Sequence, residues 1–140
     1  SSTINLVIAQ RLVRKICDNC AGNKKIDPAI LNKIKERSDI IECLEAREKG
    51  LAKKIENQDF RIGNGCEKCF QTGYLGRTGI YELLEPQKEI RDLVLQHASS
   101  ESIEAVAKNY GFTSMINDGL DKVFAGKTTF SEILRATKTV

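Results

Sequence analysis

The sequence predicts a mostly α-helical chain with a small β element, organised as a tetracysteine lobe followed by a C-terminal helical bundle. Three observations carry this. Four cysteines fall in two CxxC pairs, Cys17-Asp-Asn-Cys20 and Cys66-Glu-Lys-Cys69. One short apolar run, Thr78 to Leu84, has strand character and is ended by Pro86. Beyond it, apolar residues recur at helical spacing between cap and stop residues to the end.

At 140 residues and 41% hydrophobic composition, the chain can form one ordinary domain or two very small ones. Its 22 basic and 19 acidic residues leave a net charge of +3. That is too near neutral for the uniform field of a dedicated nucleic-acid binder. No apolar run approaches the roughly 18–20 residues of a bilayer span, and no signal-peptide pattern is present, so a soluble chain is expected. The one methionine is Met115. Ser1 therefore does not read as a natural start, and an excised region of a longer protein is expected.

The elements follow in order. Residues 4–16 place Ile4, Leu6, Val7, Ile8, Leu12, Val13 and Ile16 at helical spacing, which predicts a helix running into Cys17 with Arg11, Arg14 and Lys15 on its wet side. Asp27-Pro28 is a helix start, an N-cap acceptor before a proline suited to the first turn. Ile30, Leu31, Ile34, Ile41, Leu44 and Leu51 then mark one or two helices, interrupted near Gly50. From Asn57 to Gly79, five glycines around the second cysteine pair read as tight turns. The strand 78–84 is apolar enough to want cover on both faces, which implies a sheet that the chain barely supplies. After Pro86, Ile90, Leu93, Val94 and Leu95 form one stripe. Ser100 caps the next helix, with Gly111 as its stop. Thr113 caps another through Phe124, with Gly126 as its stop, and Thr129-Phe-Ser-Glu132 matches a capping box for a last helix. The expected division is a lobe at 1–76 with a helical insert at 28–57, a connecting strand at 77–86, and the bundle at 87–140.

The cysteines carry the chemistry. A two-residue gap lets both sulfurs of a pair reach one ion, and two such pairs supply the four thiolates of a closed structural zinc site. Forty-five residues separate Cys20 from Cys66, more than in a compact zinc ribbon, but loop closure grows slowly with length. Lys15, Lys24, Lys25 and Lys68 could offset the charge of a zinc tetrathiolate. A redox dithiol, an iron–sulfur cluster and a pair of disulfides are the alternatives. Catalytic zinc is disfavoured, since four cysteines leave no open position. Cys43 reads as a small buried apolar side chain and His97 as a solvated helix-end residue. Gly126-Lys127-Thr128 imitates the end of a phosphate loop, but Asp121 stands where that pattern needs glycine. The basic residues Arg11, Arg14, Lys15, Lys24 and Lys25 read as a solvated face with charge compensation; a zinc-dependent nucleic-acid-binding module is the alternative function.

Three stretches resemble one family. Ala9-Gln10-Arg11-Leu12-Val13-Arg14-Lys15-Ile16-Cys17-x-x-Cys20 is similar to a segment of the ATPases that drive type II secretion and type IV pilus assembly. So is Cys66-x-x-Cys69-x-x-Thr72-Gly73-Tyr74-x-Gly76-Arg77-Thr78-Gly79-Ile80-Tyr81-Glu82-Leu83-Leu84. The tail, Asp118-Gly119-Leu120-x-Lys122-Val123, Ala125-Gly126-x-Thr128-Thr129 and Glu132-Ile133-Leu134-Arg135, matches in the same order. The resemblance implies a C-terminal fragment of a RecA-like ATPase, with Cys17, Cys20, Cys66 and Cys69 as ligands of structural Zn2+. It also implies that strand 78–84 returns to the RecA-like sheet. ATP and Mg2+ would be bound only in the parent core, so the fragment itself is not expected to be an enzyme. Neighbouring subunits of a hexamer and an inner-membrane platform protein are the implied partners. No nucleic acid is expected, and contact with membrane is indirect, which places the protein in the cytoplasm beside the bacterial inner membrane. Motion of the core would pass through the lobe or the tail, with the turn Arg77-Thr78-Gly79 as the mechanical joint. The insert 28–57 is longer than usual in that family and departs from its pattern.

Overall fold

The computed structural model describes residues 3–138. β1 (Val7–Ile16) pairs antiparallel with β4 (Tyr74–Leu84), from Val7 opposite Leu84 to Ile16 opposite Tyr74, with a bulge between Arg14 and Ile16. β2 (Ala21–Lys25) pairs antiparallel with β3 (Asp59–Gly63) in a second two-stranded sheet. Between β2 and β3 lie α1 (Pro28–Lys35), α2 (Ser38–Arg47) and the single turn α3 (Leu51–Lys54). After β4 come α4 (Lys88–Leu95), α5 (Ser100–Lys108), α6 (Met115–Phe124) and α7 (Phe130–Ala136). Among the described residues no helix is long and apolar enough to cross a membrane.

The stretch 4–16 corrects the helix expected there: its main part is β1. Its apolar positions fit both periods, but Ile4, Val7, Ile8, Val13 and Ile16 are β-branched and favour the pleated conformation. Val13 and Ile80 face the core on one side of the ladder, while Ile8, Leu12 and Leu83 lie exposed on the other. The decisive term is non-local. β4 needs a hydrogen-bonding partner, and β1 supplies one about seventy residues upstream. β4 also begins at Tyr74, earlier than the strand read from Thr78. Arg77-Thr78-Gly79, expected as a turn, lies inside it opposite Leu12–Arg14.

Local signals set most helix ends. The Asp27 carboxylate accepts from the Ala29 N–H at 2.8 Å, with Pro28 in the first turn. Thr129 caps α7 as expected, whereas α5 and α6 are capped by Ser99 and Ser114, one residue away from the sites read at Ser100 and Thr113. Gly126 ends α6 at φ 72°, a conformation that costs glycine nothing.

One core joins these elements. Val13 and Ile80 from the first sheet meet Ile34, Ile40 and Leu44 of the insert helices and Leu120, Val123, Phe130 and Ile133 of α6 and α7. The insert is thus part of the interior. α4 and α5 pack chiefly on each other, with Ile90 buried and a single bridge from Leu83 to Thr113.

Candidate metal centre

The two CxxC pairs sit at strand ends that point at one another. β1 delivers Cys17 directly beyond Ile16, and the Cys17 N–H donates to the Gly73 carbonyl at 2.9 Å. A 3-10 turn over Asp18–Cys20 folds Cys20 back, and β2 starts at the next residue. A second 3-10 turn, Glu67–Cys69, does the same for the other pair. The Asn64 N–H donates to the Cys20 carbonyl at 2.9 Å, so the first knuckle is hydrogen-bonded to the residues on both sides of the second. The approach is close: a Cβ on Gly63 would lie 1.8 Å from the Gly73 carbonyl oxygen. Glycine is required at 63 for the knuckles to meet. Antiparallel pairing of β2 with β3 returns the chain across the long insert.

All four sulfurs lie within 4.8 Å of one another. Cys17 to Cys66 is 3.9 Å, Cys20 to Cys69 is 3.8 Å and Cys66 to Cys69 is 3.6 Å. A tetrahedron with roughly 2.3 Å from centre to corner has an edge of about 3.8 Å, so the donor set fits a four-coordinate thiophilic ion. The separations are far from the roughly 2.05 Å of a disulfide. N–H groups also point at sulfur: Gly65 at Cys20, Cys66 and Gly73 at Cys69, and the Asn19 amide at Cys66, each at 3.3 Å. Such donors stabilise thiolate and fix ligand orientation.

The thiols do not ionise alike. Burial and the neighbouring sulfurs hold Cys20 up at about 11, against the Gly65 N–H. Burial also raises Cys69, but the N–H groups of Cys66 and Gly73 outweigh it and bring the thiol down to about 6. The Asn19 amide, first among several donors, lowers Cys66. Four sulfurs this close cannot all carry charge unaided, and a divalent cation at their centre is what would make them four thiolates.

Cys43 stands apart, packed against the core with its sulfur 3.9 Å from the Ser114 hydroxyl. His97 is exposed just beyond α4. Lys15, Lys24, Lys25 and Lys68 are exposed and form no ion pair among the described residues.

The seam beside the thiols holds what the sequence did not reveal. Glu132, expected to complete a capping box, is buried and accepts from the Arg14 N–H at 2.7 Å and from the Arg14 and Arg135 guanidinium groups at 2.9 and 2.8 Å. Arg14, read as part of a wet helix face, stacks 4.2 Å above the Tyr74 ring. Arg11 donates to the Ala136 carbonyl. The segment resembling a phosphate loop is a latch: Ile16 N–H donates to the Lys127 carbonyl at 3.0 Å, buried Thr128 donates to the Arg14 carbonyl at 2.8 Å, and Arg61 donates to the Gly126 carbonyl at 2.9 Å. Tyr74 and Thr129 share a hydrogen bond of 2.8 Å.

Comparison with known proteins adds the lineage. A family model described as type II/IV secretion system protein matches residues 1–135. The chain is 35% identical over 132 residues to the type IV pilus assembly ATPase PilB of Thermus thermophilus, covering 94% of the chain and 13% of that protein. It is 33% identical to the type II secretion system protein E of Aeromonas hydrophila, covering 99% of the chain and 24% of that protein. With the type II secretion system ATPase E of Vibrio cholerae the identity is 35%, covering 99% and 24%. The chain spans less than a quarter of the length of these relatives.

Proposed function

The chain belongs to the type II/IV secretion system protein family, and from that premise we propose that it is the C-terminal zinc-binding region of a secretion or pilus-assembly ATPase. The observation that carries the metal reading is the donor set itself: four sulfurs at tetrahedral edge spacing, with the first knuckle hydrogen-bonded to Asn64 and Gly73 on either side of the second. Cys17, Cys20, Cys66 and Cys69 hold structural Zn2+, which supplies a closed cross-link with no open position for chemistry. ATP hydrolysis belongs to the remainder of the parent protein.

The region acts as a stiff coupling piece. β1 enters the knuckle at Cys17, and the same strand is gripped by α7 through Arg14 and Glu132. Displacement of β1 therefore carries the knuckles and the C-terminal helices together, towards a neighbouring subunit or a platform protein at the inner membrane. Because Arg77–Gly79 sits in a paired ladder, motion passes through the sheet rather than a hinge there. Replacing Cys66 and Cys69 with Ser in the full-length protein tests this. Zinc content falls, and secretion or piliation fails while ATP still binds. Unaltered secretion or piliation in that variant would end the coupling reading.

A further inference from the structure

The hairpin of α4 and α5 is held to the molecule differently from α6 and α7. Ile90 and Ala107 are buried, yet no residue of either helix belongs to the common core. Among the described residues no hydrogen bond or ion pair runs from residues 87–112 to the rest of the chain. The bonds of the hairpin are its own: the helix ladders, the Ser99 cap of α5 and the Glu104–Lys108 pair at 3.0 Å. α6 and α7, by contrast, are tied across the fold. Asp121 pairs with Arg47, Asp118 accepts from the Tyr81 N–H, and Glu132 accepts from Arg14. Few buried contacts and no polar tie are the marks of a unit that can move against its neighbours.

Both ends of the hairpin are suited to turning. Pro86 lies just past β4 and has no N–H to extend the ladder, and the bridge from Leu83 to Thr113 clasps the base. Gly111 stands at φ 78°, where a Cβ would meet nothing within 4 Å, so its backbone can rearrange without collision. Two crevices of about 230 and 180 Å3 separate the hairpin from the β1–β4 ribbon. Val7, Ala9 and Leu84 line the larger from the ribbon, with Ile103 and Phe112 opposite. Apolar walls with a gap between them forgo the dispersion contacts that closure would supply. Arg91 Nε on α4 is buried without a hydrogen-bond partner, the one such side-chain atom among the described residues. Any movement that wets it removes that cost.

We infer that α4–α5 is a hinged arm. It keeps its own helices and turns as a unit about residues 85–87 and 109–113, closing Ile103 onto Val7, Ala9 and Leu84 or lifting it away. No cysteine lines either crevice, so the inference does not depend on which metal the thiols hold. The test reads distances by double electron–electron resonance in the full-length protein. Labelled copies are diluted into unlabelled protein, so that only pairs within one chain are seen. The spin labels sit on ketone-bearing p-acetylphenylalanine, which spares the cysteines. One pair spans Val94 on α4 and Lys53 on α3; the reference pair spans Lys53 and Ser131 on α7, all three exposed. The first distribution is expected to be broader than the reference and to resolve into two maxima. Ala9→Trp on the ribbon wall and Ile103→Asn on the arm wall each shift its weight to the same maximum, the open one, and leave the reference unchanged. Thermal melts report folding; if A9W does not fold, I103N decides alone. A first distribution as narrow as the reference overturns the proposal, as does one that neither variant moves. Amide exchange in α4 and α5 as fast as in an unfolded peptide also overturns it, because the hairpin would then be unfolding rather than turning.

Discussion

Glu132 is the residue on which the two ends of the chain meet. Its burial alone would raise the carboxyl pKa, but the hydrogen bonds from Arg135, Arg14 and the Arg14 N–H overcome this and hold it at about 2. A buried carboxylate with that many donors is costly to neutralise. Glu132→Gln is expected to destabilise the protein by about 2–3 kcal/mol at pH 7, below the full figure for a buried pair because both arginines are half exposed. Urea unfolding measures it. The pH dependence has a definite sign. The folded pKa is depressed, so the contribution is complete above the unfolded value of about 4.3 and disappears as pH falls from there towards 2. The difference between wild type and E132Q isolates it, because every other titrating group is common to both. A difference that stays constant from pH 6 to pH 3 would remove the carboxylate from the account. None of this was legible in the sequence. Thr129-Phe-Ser-Glu132 has the form of a capping box, and the Thr129 half of it exists, but Glu132 turns to Arg14, 118 residues away.

Elements were legible where their signals are local. Asp27-Pro28, Thr129 and Gly126 mark ends that backbone chemistry dictates within a few residues. The four cysteines were legible as one cluster because two CxxC pairs have the spacing that a shared ion would require. β1 was not, because Leu12, Val13 and Ile16 satisfy either period and the choice rests on pairing with β4. The helices of the insert 28–57 were legible from Asp27-Pro28 and the spacing of Ile34 and Leu44, whereas their packing into the common core with Ile40 was not. Leu44 is fully buried on α2. Leu44→Ala is therefore expected to cost about 2–4 kcal/mol through lost transfer and a residual cavity, and to shift a single cooperative transition. A cost under about 1 kcal/mol would mean that the insert hangs on the surface and can be deleted without loss.

At the scale of the whole molecule, the thiol centre and the apolar core do different work. The centre joins positions 49 residues apart in the chain, Cys17 with Cys66 and Cys20 with Cys69. The sheet beside it, β2 with β3, has only five residues in each strand, and such a ribbon is marginal in water by itself. Structural zinc contributes on the order of 10–16 kcal/mol of apparent binding energy in small sites, more than that ribbon can replace. The core made by β1, β4, α1, α2, α6 and α7 contains none of the four cysteines. Chelation should therefore melt the molecule unevenly. Amide exchange protection is expected to vanish over residues 17–25 and 59–73, and to persist in β1 ahead of Val13 and in α6 and α7. The latch bonds from Ile16 to Lys127 and from Arg61 to Gly126 cross this boundary, and the backbone amide that loses its acceptor when they open is that of Ile16. Uniform loss throughout the chain would make the metal the keystone of the entire fold. Unchanged protection over residues 17–25 would mean that β2–β3 pairing and the Gly63–Gly73 approach hold the knuckles closed without it.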